Sequence, residues 1–221
     1  MSHLTSPRPW GQRLLVDEQA VLAHHSVMLW LDSLTRAESL PAAWLIATTQ
    51  RPRTRLERSA LRHATSRSVL AIQLGAVPED IGLANDSRGR LLAVGPDGQV
   101  QHLSHATRDG LVLVALGAQR VGADIERCGA GDIPFAALHR AEQLWLHQLP
   151  GDQRDRAFAQ MWAVKEAHGK WTGTGLPETD RHAALPGPDG RWQVAGSAHV
   201  AFATRLIDND GVGYALAVAG V

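Results

Sequence analysis

Two short segments constrain this chain more than the rest of it: Val121–Glu126 (VGADIE) and Trp162–Lys170 (WAVKEAHGK). The first is an apolar run that contains two carboxylates, Asp124 and Glu126. Because side chains alternate between the two faces of a β-strand, residues two positions apart leave the same face and can converge on one cation. A helix would separate them. The first segment therefore predicts a strand with an acidic face.

The second segment consists mostly of helix formers and carries one carboxylate and two lysines. Glu166 and Lys170 are four positions apart, so on a helix they lie one above the other, while Lys165 points about a quarter turn away. A third carboxylate brought opposite Asp124 and Glu126 would complete an oxygen-only site. Such a site suits Mg²⁺, which prefers octahedral oxygen ligands and often keeps substrate phosphates among them. The lysines would then meet phosphate.

The order and spacing of these segments resemble those of the 4′-phosphopantetheinyl transferases, specifically of the long, surfactin-type branch. The pattern of that family is a Gly-x-Asp-x-Glu strand followed by a Trp-x-x-Lys-Glu-Ala-x-x-Lys helix, and both are present here without gaps. Three further segments match in order: His102–Ala106 (HLSHA), Leu138–Leu144 (LHRAEQL) and Gly173–Leu176 (GTGL). Either main motif alone would be a weak signal, but both in order are a specific one.

The resemblance implies an enzyme that moves the 4′-phosphopantetheine arm of coenzyme A to a serine of an apo acyl or peptidyl carrier protein, releasing 3′,5′-adenosine bisphosphate. It implies Mg²⁺ as cofactor, with Asp124, Glu126 and Glu166 as its ligands. Glu166 and Lys170 are expected to take part in catalysis. The carrier serine must lose its proton, and a water on the metal or Glu166 could accept it.

The resemblance also implies where coenzyme A is held. Lys165 and Lys170 resemble the lysines of the family that contact the diphosphate, and Lys170 is the stronger candidate. Ser104 and His105 resemble the residues that hold the 3′-phosphate and the adjacent ribose. Further contacts are expected on the N-terminal helix, from three residues: Arg53, Arg58 and Ser59.

The alternation of helical and strand patterns predicts a mixed α/β (α+β) fold. The family is built as two similar α/β halves related by a pseudo-twofold, with the active site between them. This implies an N-terminal half at 1–119 with the coenzyme A contacts and the Ser-His segment, and a C-terminal half at 120–221 with the metal site and the lysine helix. A Gly-Pro-Asp-Gly turn occurs at both 95–98 and 187–190, which is consistent with two similar halves.

The local patterns also predict individual elements. The segment 42–48 fits either a helix or a strand, and a turn signal lies at Asn209-Asp210-Gly211. Helices are expected at Leu56–Leu74, Asp132–Leu149 and Arg154–Trp171. Strands are expected at His25–Leu34, Leu91–Val94, Val100–Leu103, Leu111–Leu116, Trp192–Val194, Val200–Ile207 and Tyr214–Ala219.

Composition excludes several other classes of protein. The 22 basic and 22 acidic residues cancel, so no global field attracts the chain to nucleic acid or a membrane surface. Its single cysteine, Cys128, cannot form an internal disulfide, which fits a reducing compartment. Neither a signal core at Met1–Trp10 nor a stretch of ~20 apolar residues is present. We therefore expect a soluble, cytoplasmic protein, and a monomer, because duplication lets one chain supply both halves of the site.

Other interpretations remain open at this point. Glu166 and Lys170 could form an ordinary surface ion pair, worth about 0.2–0.5 kcal/mol. The chain could be a catalytically degenerate module of the same fold that binds coenzyme A or a carrier, although such a module has no need for three carboxylates. An unrelated Mg²⁺-dependent phosphohydrolase is a third alternative. Two departures from the family pattern are also notable: Ala123 replaces Val or Ile, and Gly169 lies inside a helix at a cost of roughly 1 kcal/mol.

Overall fold

The computed structural model describes residues 28–175 and 181–220. The first part of the chain forms a six-stranded sheet of order β1-β2-β6-β5-β4-β3. Strands β1 and β2 are parallel and the other pairs are antiparallel. The strand bounds are β1 Leu29–Leu31, β2 Ala42–Ala47, β3 Gly82–Asn85, β4 Leu91–Val94, β5 Val100–Arg108 and β6 Leu111–Gly117.

Helix α1 (Arg55–Leu74) packs on this sheet. Thr54 and Glu57 form a capping box at its start, and Gly75 ends it in the left-handed conformation with φ 67°. A glycine takes that conformation without the steric cost that other residues have. The buried face of α1 includes Leu61 and Leu70, and two arginines of the same helix line a cavity beside β5.

The second part of the chain forms a three-stranded antiparallel sheet of order β10-β11-β7. Its strands are β7 Val121–Arg127, β10 Phe202–Asn209 and β11 Val212–Gly220. Helix α3 (Gly151–Thr172) packs on β7 and β11. A short helix α2 (Arg140–His147) and a hairpin of β8 (Ala184–Pro186) and β9 (Trp192–Val194) complete this part.

The contact between β7 and α3 is unusually close at Gly122. A Cβ atom at this position would overlap the carbonyl oxygen of Ala167 and lie 2.7 Å from the backbone nitrogen of Trp171. Both residues belong to α3, so the absent side chain allows the helix backbone to rest directly on the strand. Because the side-chain period of a strand is two, Asp124 and Glu126 share the face of Gly122 and also point toward α3.

The opposite face of β7 joins the two sheets. Val121, Ala123 and Ile125 pack in one buried cluster with residues of β6 and β11. Between β5 and β7, the backbone N–H of Ala123 donates to the hydroxyl oxygen of Ser104 at 2.8 Å. The other residues of β7 up to Ile125 are apolar or glycine and are buried, so that the two carboxylates interrupt an otherwise apolar strand.

The mixed fold is confirmed, and most predicted elements are present. Segment 42–48 is a strand, and Asp210 and Gly211 form the β10–β11 turn with positive φ values. The prediction of a helix over Asp132–Leu149 was wrong in its first half, because only a 3-10 turn at Phe135–Ala137 and then α2 form there. Strands β3 and β8 were missed because each is short and only partly buried.

Some predictions fall outside what the structure tests. The part of the first predicted strand at 25–27, the segment Met1–Trp10 and Leu176 lie outside the described residues. The division of the chain near Gln119, in the turn between β6 and β7, stays a prediction. In the described part of the chain, none of the helices is long and apolar enough to cross a membrane.

The close approach at Gly122 gives a stability prediction. Gly122→Ala should lower the free energy of unfolding by about 1–3 kcal/mol or more, because the new methyl group meets backbone atoms that cannot rotate away. Urea unfolding followed by circular dichroism measures the change. Gly151→Ala is the matched control, since nothing lies within 4 Å of a Cβ there, and it should be neutral or mildly stabilising. Equal unfolding midpoints for the two variants would contradict the packing argument.

Candidate active site

Lys170 joins the two main sequence motifs. Its ammonium nitrogen Nζ donates to Oδ1 of Asp124 at 2.7 Å and to the carbonyl oxygen of Ala123 at 2.8 Å. The lysine side chain is 34% exposed and the Asp124 side chain only 10%. Lys170 therefore pairs across to β7, and the alternative of a simple surface pair with Glu166 does not describe it.

Arg108 makes the corresponding contact to the second strand carboxylate. Its Nη2 lies 2.5 Å from Oε2 of Glu126. The arginine is at the end of β5, next to β7, and its Nε atom is buried without a hydrogen-bond partner among the described residues. The sequence motifs gave no signal for Arg108, because its partner is eighteen positions away along the chain.

Glu166 lies within the electrostatic reach of both strand carboxylates. Burial, together with the charges of Asp124 and Glu126, raises the pKa of Glu166 to about 7. Burial and the charge of Asp124 also raise the pKa of Glu126. We call Asp124, Glu126 and Glu166 the acidic cluster, because their charges oppose one another's ionisation and a cation among them would be favourable.

The donor set of this cluster fits Mg²⁺. All three groups supply oxygen, which is the ligand atom that this ion prefers, and Oδ2 of Asp124 is buried with no hydrogen-bond partner in the described structure. Within residues 28–175 and 181–220, no group of three or more His, Cys, Asp or Glu side chains is arranged so that it could hold a metal ion. Lys170 and Arg108 each hold one oxygen of a strand carboxylate, so a metal ion would share or replace these contacts.

A basic cavity of about 590 Å³ adjoins the acidic cluster. Two of its guanidinium nitrogens, Nε of Arg62 and Nη1 of Arg90, are buried without a partner in the part of the chain that the structure describes. Unpaired buried donors of this kind favour an anionic ligand. The polar lining residues are Arg62, His63, Arg67, Asn85, Arg88, Arg90, Ser104, His105 and Lys170.

Close packing at the wall of this cavity accounts for the glycine at position 169 inside helix α3. A Cβ atom at this position would lie 2.8 Å from the carbonyl oxygen of Gly175. The segment that leaves α3 folds back over the helix here, and the N–H of Gly175 donates to the carbonyl of Gly169 at 3.2 Å. Both glycines line the cavity. Glycine destabilises the helix at position 169, but a larger residue there would prevent the segment at Gly175 from packing against α3 and forming this wall of the cavity.

Ser104 and His105 occupy the positions that the sequence indicated, beside the cavity. Burial, followed by the positive charges of Arg62, His63 and Lys170, lowers the pKa of His105 to about 3. The ring is therefore neutral near pH 7, and its Nδ1 lies 2.9 Å from the hydroxyl of Ser66. The oxygen of Ser104 already accepts the N–H of Ala123, so this hydroxyl offers its hydrogen to a ligand.

Lys165 lies elsewhere, contrary to the expectation that it contacts phosphate. Its Nζ donates to both carboxylate oxygens of Glu142 at 2.7 and 2.9 Å, and to the carbonyl of His182 at 3.1 Å. The side chains of this pair are 3% and 0% exposed. Glu142 also accepts the N–H groups of His139 and Ala184. Because Lys165 is about a quarter turn from Glu166 on the helix, it points into the interior toward α2.

The residues of α1 that line the cavity differ from those expected to contact coenzyme A. Neither Arg53, Arg58 nor Ser59 lines the cavity, and Nη1 of Arg58 instead donates to the carbonyl of Arg53 at 3.0 Å. The lining residues of the helix are Arg62 and His63, one turn further on, together with Arg67. The helical period alone relates Arg58 to Arg62, but only the packing of α1 reveals which turn faces the cavity.

The chain is similar in sequence to proteins of one known family. The model of the 4′-phosphopantetheinyl transferase superfamily matches residues 120–219. The 4′-phosphopantetheinyl transferase HetI of Nostoc sp. is 30% identical over 165 residues, which cover 70% of this chain and 67% of HetI. The chain belongs to the 4′-phosphopantetheinyl transferase superfamily. The family resemblance read from the motifs is thus confirmed.

Two further proteins match less completely. The 4′-phosphopantetheinyl transferase Gsp of Aneurinibacillus migulanus is 31% identical over 77 residues, covering 34% of this chain and 32% of Gsp. A crystal structure of a holo-(acyl-carrier-protein) synthase from Bacillus anthracis, in complex with coenzyme A (3′,5′-ADP), is 17% identical and covers 45% of this chain and 94% of the synthase. The TM-score of this match is 0.34.

The acidic cluster predicts a pH-dependent stability. In metal-free protein, ionisation of Glu166 opposes folding, so stability that is present below pH 4.5 is lost as the pH rises to about 7. Glu166→Gln removes this charge. In EDTA we expect this variant to resist urea better than the native chain at pH 8, with the difference closing toward pH 4.5. Glu38→Gln, at an exposed position, is the control. A difference that does not change with pH would contradict the charge argument.

The buried pair of Lys165 and Glu142 predicts that replacing Lys165 lowers the free energy of unfolding far more than replacing Lys170 does. Lys165→Met leaves the carboxylate of Glu142 buried without a counter-charge, which should cost about 3–5 kcal/mol of unfolding free energy. The double change Glu142→Met with Lys165→Met should recover much of that loss. Lys170→Met, at a partly exposed position, should cost far less. Chemical denaturation of the four proteins measures this, and a fully stable Lys165→Met would argue against a structural role.

Proposed function

We propose that this protein transfers the 4′-phosphopantetheine arm of coenzyme A to a serine hydroxyl of an apo carrier protein and releases 3′,5′-adenosine bisphosphate. One observation carries the proposal: Lys170 belongs to the acidic cluster and to the basic cavity at the same time. A diphosphate donor requires this combination, with a metal-binding group at the reacting phosphate and cationic donors along the rest of the anion.

The basic cavity supports binding of the nucleotide part of coenzyme A. Lys170 supplies a compact positive charge beside Asp124, where the diphosphate would lie. The unpaired donors of Arg62 and Arg90 supply directed hydrogen bonds to phosphate oxygens. Arg90 is itself oriented by Asp86, whose Oδ2 accepts from its Nε at 2.7 Å. Ser104 and His105 add neutral donors for a phosphate or a ribose hydroxyl.

The acidic cluster supports a Mg²⁺ ion held by Asp124, Glu126 and Glu166. When bound, this ion would neutralise the charge that develops on the leaving phosphate. The chain's own part is to hold the carboxylates on a rigid strand and helix. Lys170 keeps Asp124 oriented, and Arg108 does the same for Glu126.

The reaction is a substitution at phosphorus. The serine oxygen of the carrier forms a bond to the phosphorus that bears the pantetheine arm, and the bond from that phosphorus to the oxygen bridging it to the adenosine half breaks. The serine proton passes to a base, and the electron pair of the broken bond leaves on the bisphosphate. Glu166, whose carboxylate belongs to the acidic cluster, is a candidate acceptor for that proton.

The names of the relatives support the proposal, since HetI and Gsp are both 4′-phosphopantetheinyl transferases. The matches span about a third of Gsp and two thirds of HetI. A cytoplasmic location, a monomeric state and the lack of nucleic-acid partners stay predictions. A degenerate binding module is the alternative, and it is disfavoured because retaining a cluster of buried like charges is costly for a protein that only binds.

Incubation with coenzyme A, MgCl₂ and an apo carrier tests the function, with an apo acyl and an apo peptidyl carrier in separate arms. Intact mass spectrometry should show the phosphopantetheine adduct on the carrier serine. Asp124→Ala should lower the transfer rate at least a hundredfold, or about 3 kcal/mol of transition-state stabilisation. Asp189→Ala, in the exposed 187–190 turn, is the matched control. Coenzyme A binding without transfer to either carrier would favour the binding module.

A further inference from the structure

Ser66 makes a contact that the proposed transfer does not yet use. It lies in the interior of α1, is 0% exposed, and places its hydroxyl 2.9 Å from Nδ1 of His105 on β5. A serine inside a helix commonly donates to the carbonyl four residues earlier. Ser68 on the same helix does so, to the carbonyl of Ala64 at 3.2 Å. Ser66 instead reaches out of its helix to the imidazole.

The proton inventory of this contact selects one arrangement. A serine hydroxyl has one hydrogen to donate, and a buried hydroxyl normally donates it. Among the described residues, Ser66 has no other side-chain or backbone acceptor than Nδ1 of His105. If Nδ1 carried the ring hydrogen, the serine hydrogen would have no acceptor. Both groups are satisfied when Ser66 donates to Nδ1 and the ring hydrogen is on Nε2.

The tautomer matters because the ring is neutral. Burial, followed by the charges of Arg62, His63 and Lys170, lowers the pKa of His105, so the ring does not gain a second hydrogen in the free protein. A neutral imidazole has one donor and one acceptor. With the hydrogen on Nε2, the ring can donate to an anion in the cavity that it lines. With the hydrogen on Nδ1, it would present a lone pair and repel that anion.

We propose that Ser66 is a positioning residue that fixes His105 in the tautomer with the hydrogen on Nε2, and so makes the ring a neutral donor to a phosphate group of the donor substrate. The identification of that donor substrate as coenzyme A rests on the proposed function. The proposal assigns Ser66 no contact with the substrate. Its effect passes through the orientation and tautomer of one ring, and therefore affects ligand recognition more than the chemical step.

Removal of the hydroxyl should weaken recognition of the phosphate. In Ser66→Ala the ring is free to take either tautomer, so we expect the KM for coenzyme A to rise about tenfold, which corresponds to one lost hydrogen bond. The value of kcat should change little. The preference for coenzyme A over 3′-dephospho-coenzyme A should narrow if the ring contacts the 3′-phosphate. Ser68→Ala, which loses only an exposed bond within the helix, should retain the native KM.

Two measurements decide the proposal. Nitrogen-15 NMR of histidine-labelled protein should show Nε2 protonated and Nδ1 unprotonated for His105 in the native chain, and exchange between tautomers in Ser66→Ala. Calorimetric titration with coenzyme A should show that Ser66→Ala weakens binding in the native background but not in a His105→Ala background. If Ser66→Ala does not fold, Ser66→Cys takes its place in both measurements, with and without His105→Ala. The cysteine thiol keeps only a weak donor at the same position.

The outcomes separate the two proposals. A native ring protonated on Nδ1, or an equal loss of binding from Ser66→Ala with and without His105, would overturn the role of Ser66. Native protein that binds coenzyme A but transfers nothing would overturn the proposed function and leave the role of Ser66 to the binding cycle. If coenzyme A does not bind at all, the function fails, and the part of the proposal that concerns the phosphate fails with it.

Discussion

The direct seating of helix α3 on strand β7 is the contact on which the site depends. Without a side chain at Gly122, the backbone of the helix approaches the strand closely enough for the next two residues on that face to meet the helix side chains. Asp124 then reaches Lys170, and Glu126 and Asp124 come within electrostatic range of Glu166. The glycine of the strand motif is therefore as much a part of the site as its carboxylates, although it contributes no chemistry.

The orientation of α3 about its own axis is fixed by a contact on another face of the helix. Lys165 and Glu166 are neighbours in sequence but point to different environments, one to the interior pair with Glu142 and one to the acidic cluster. The pair ties α3 to α2 and, through the N–H of Ala184, to β8. A buried pair of this kind contributes little net stability compared with apolar packing, but its fixed geometry determines which face of the helix meets β7.

The sequence predicted those parts of the site that local periodicity governs. Asp124 and Glu126 share a strand face, and Glu166 and Lys170 share a helix face, because those spacings follow from backbone geometry. Arg108, Arg62, Arg90 and Ser66 could not be predicted in the same way, since their partners come from distant segments. Lys165 was assigned to the wrong environment. Helical periodicity shows that its side chain points away from that of Glu166, but it does not show which residues the side chain meets there. The exact turn of α1 that faces the cavity depends, for the same reason, on tertiary packing.

The pairing of Arg108 and Lys170 with the strand carboxylates has a consequence for how cations enter. The cluster is already partly neutralised by its own side chains, so the folded chain does not depend on an ion to keep β7 and α3 together. Any divalent ion competes with two tethered cations, and its measured affinity is the free energy of an exchange. Lys170 also lines the basic cavity, so an ammonium group that such an ion released from Asp124 would already lie beside a bound anion.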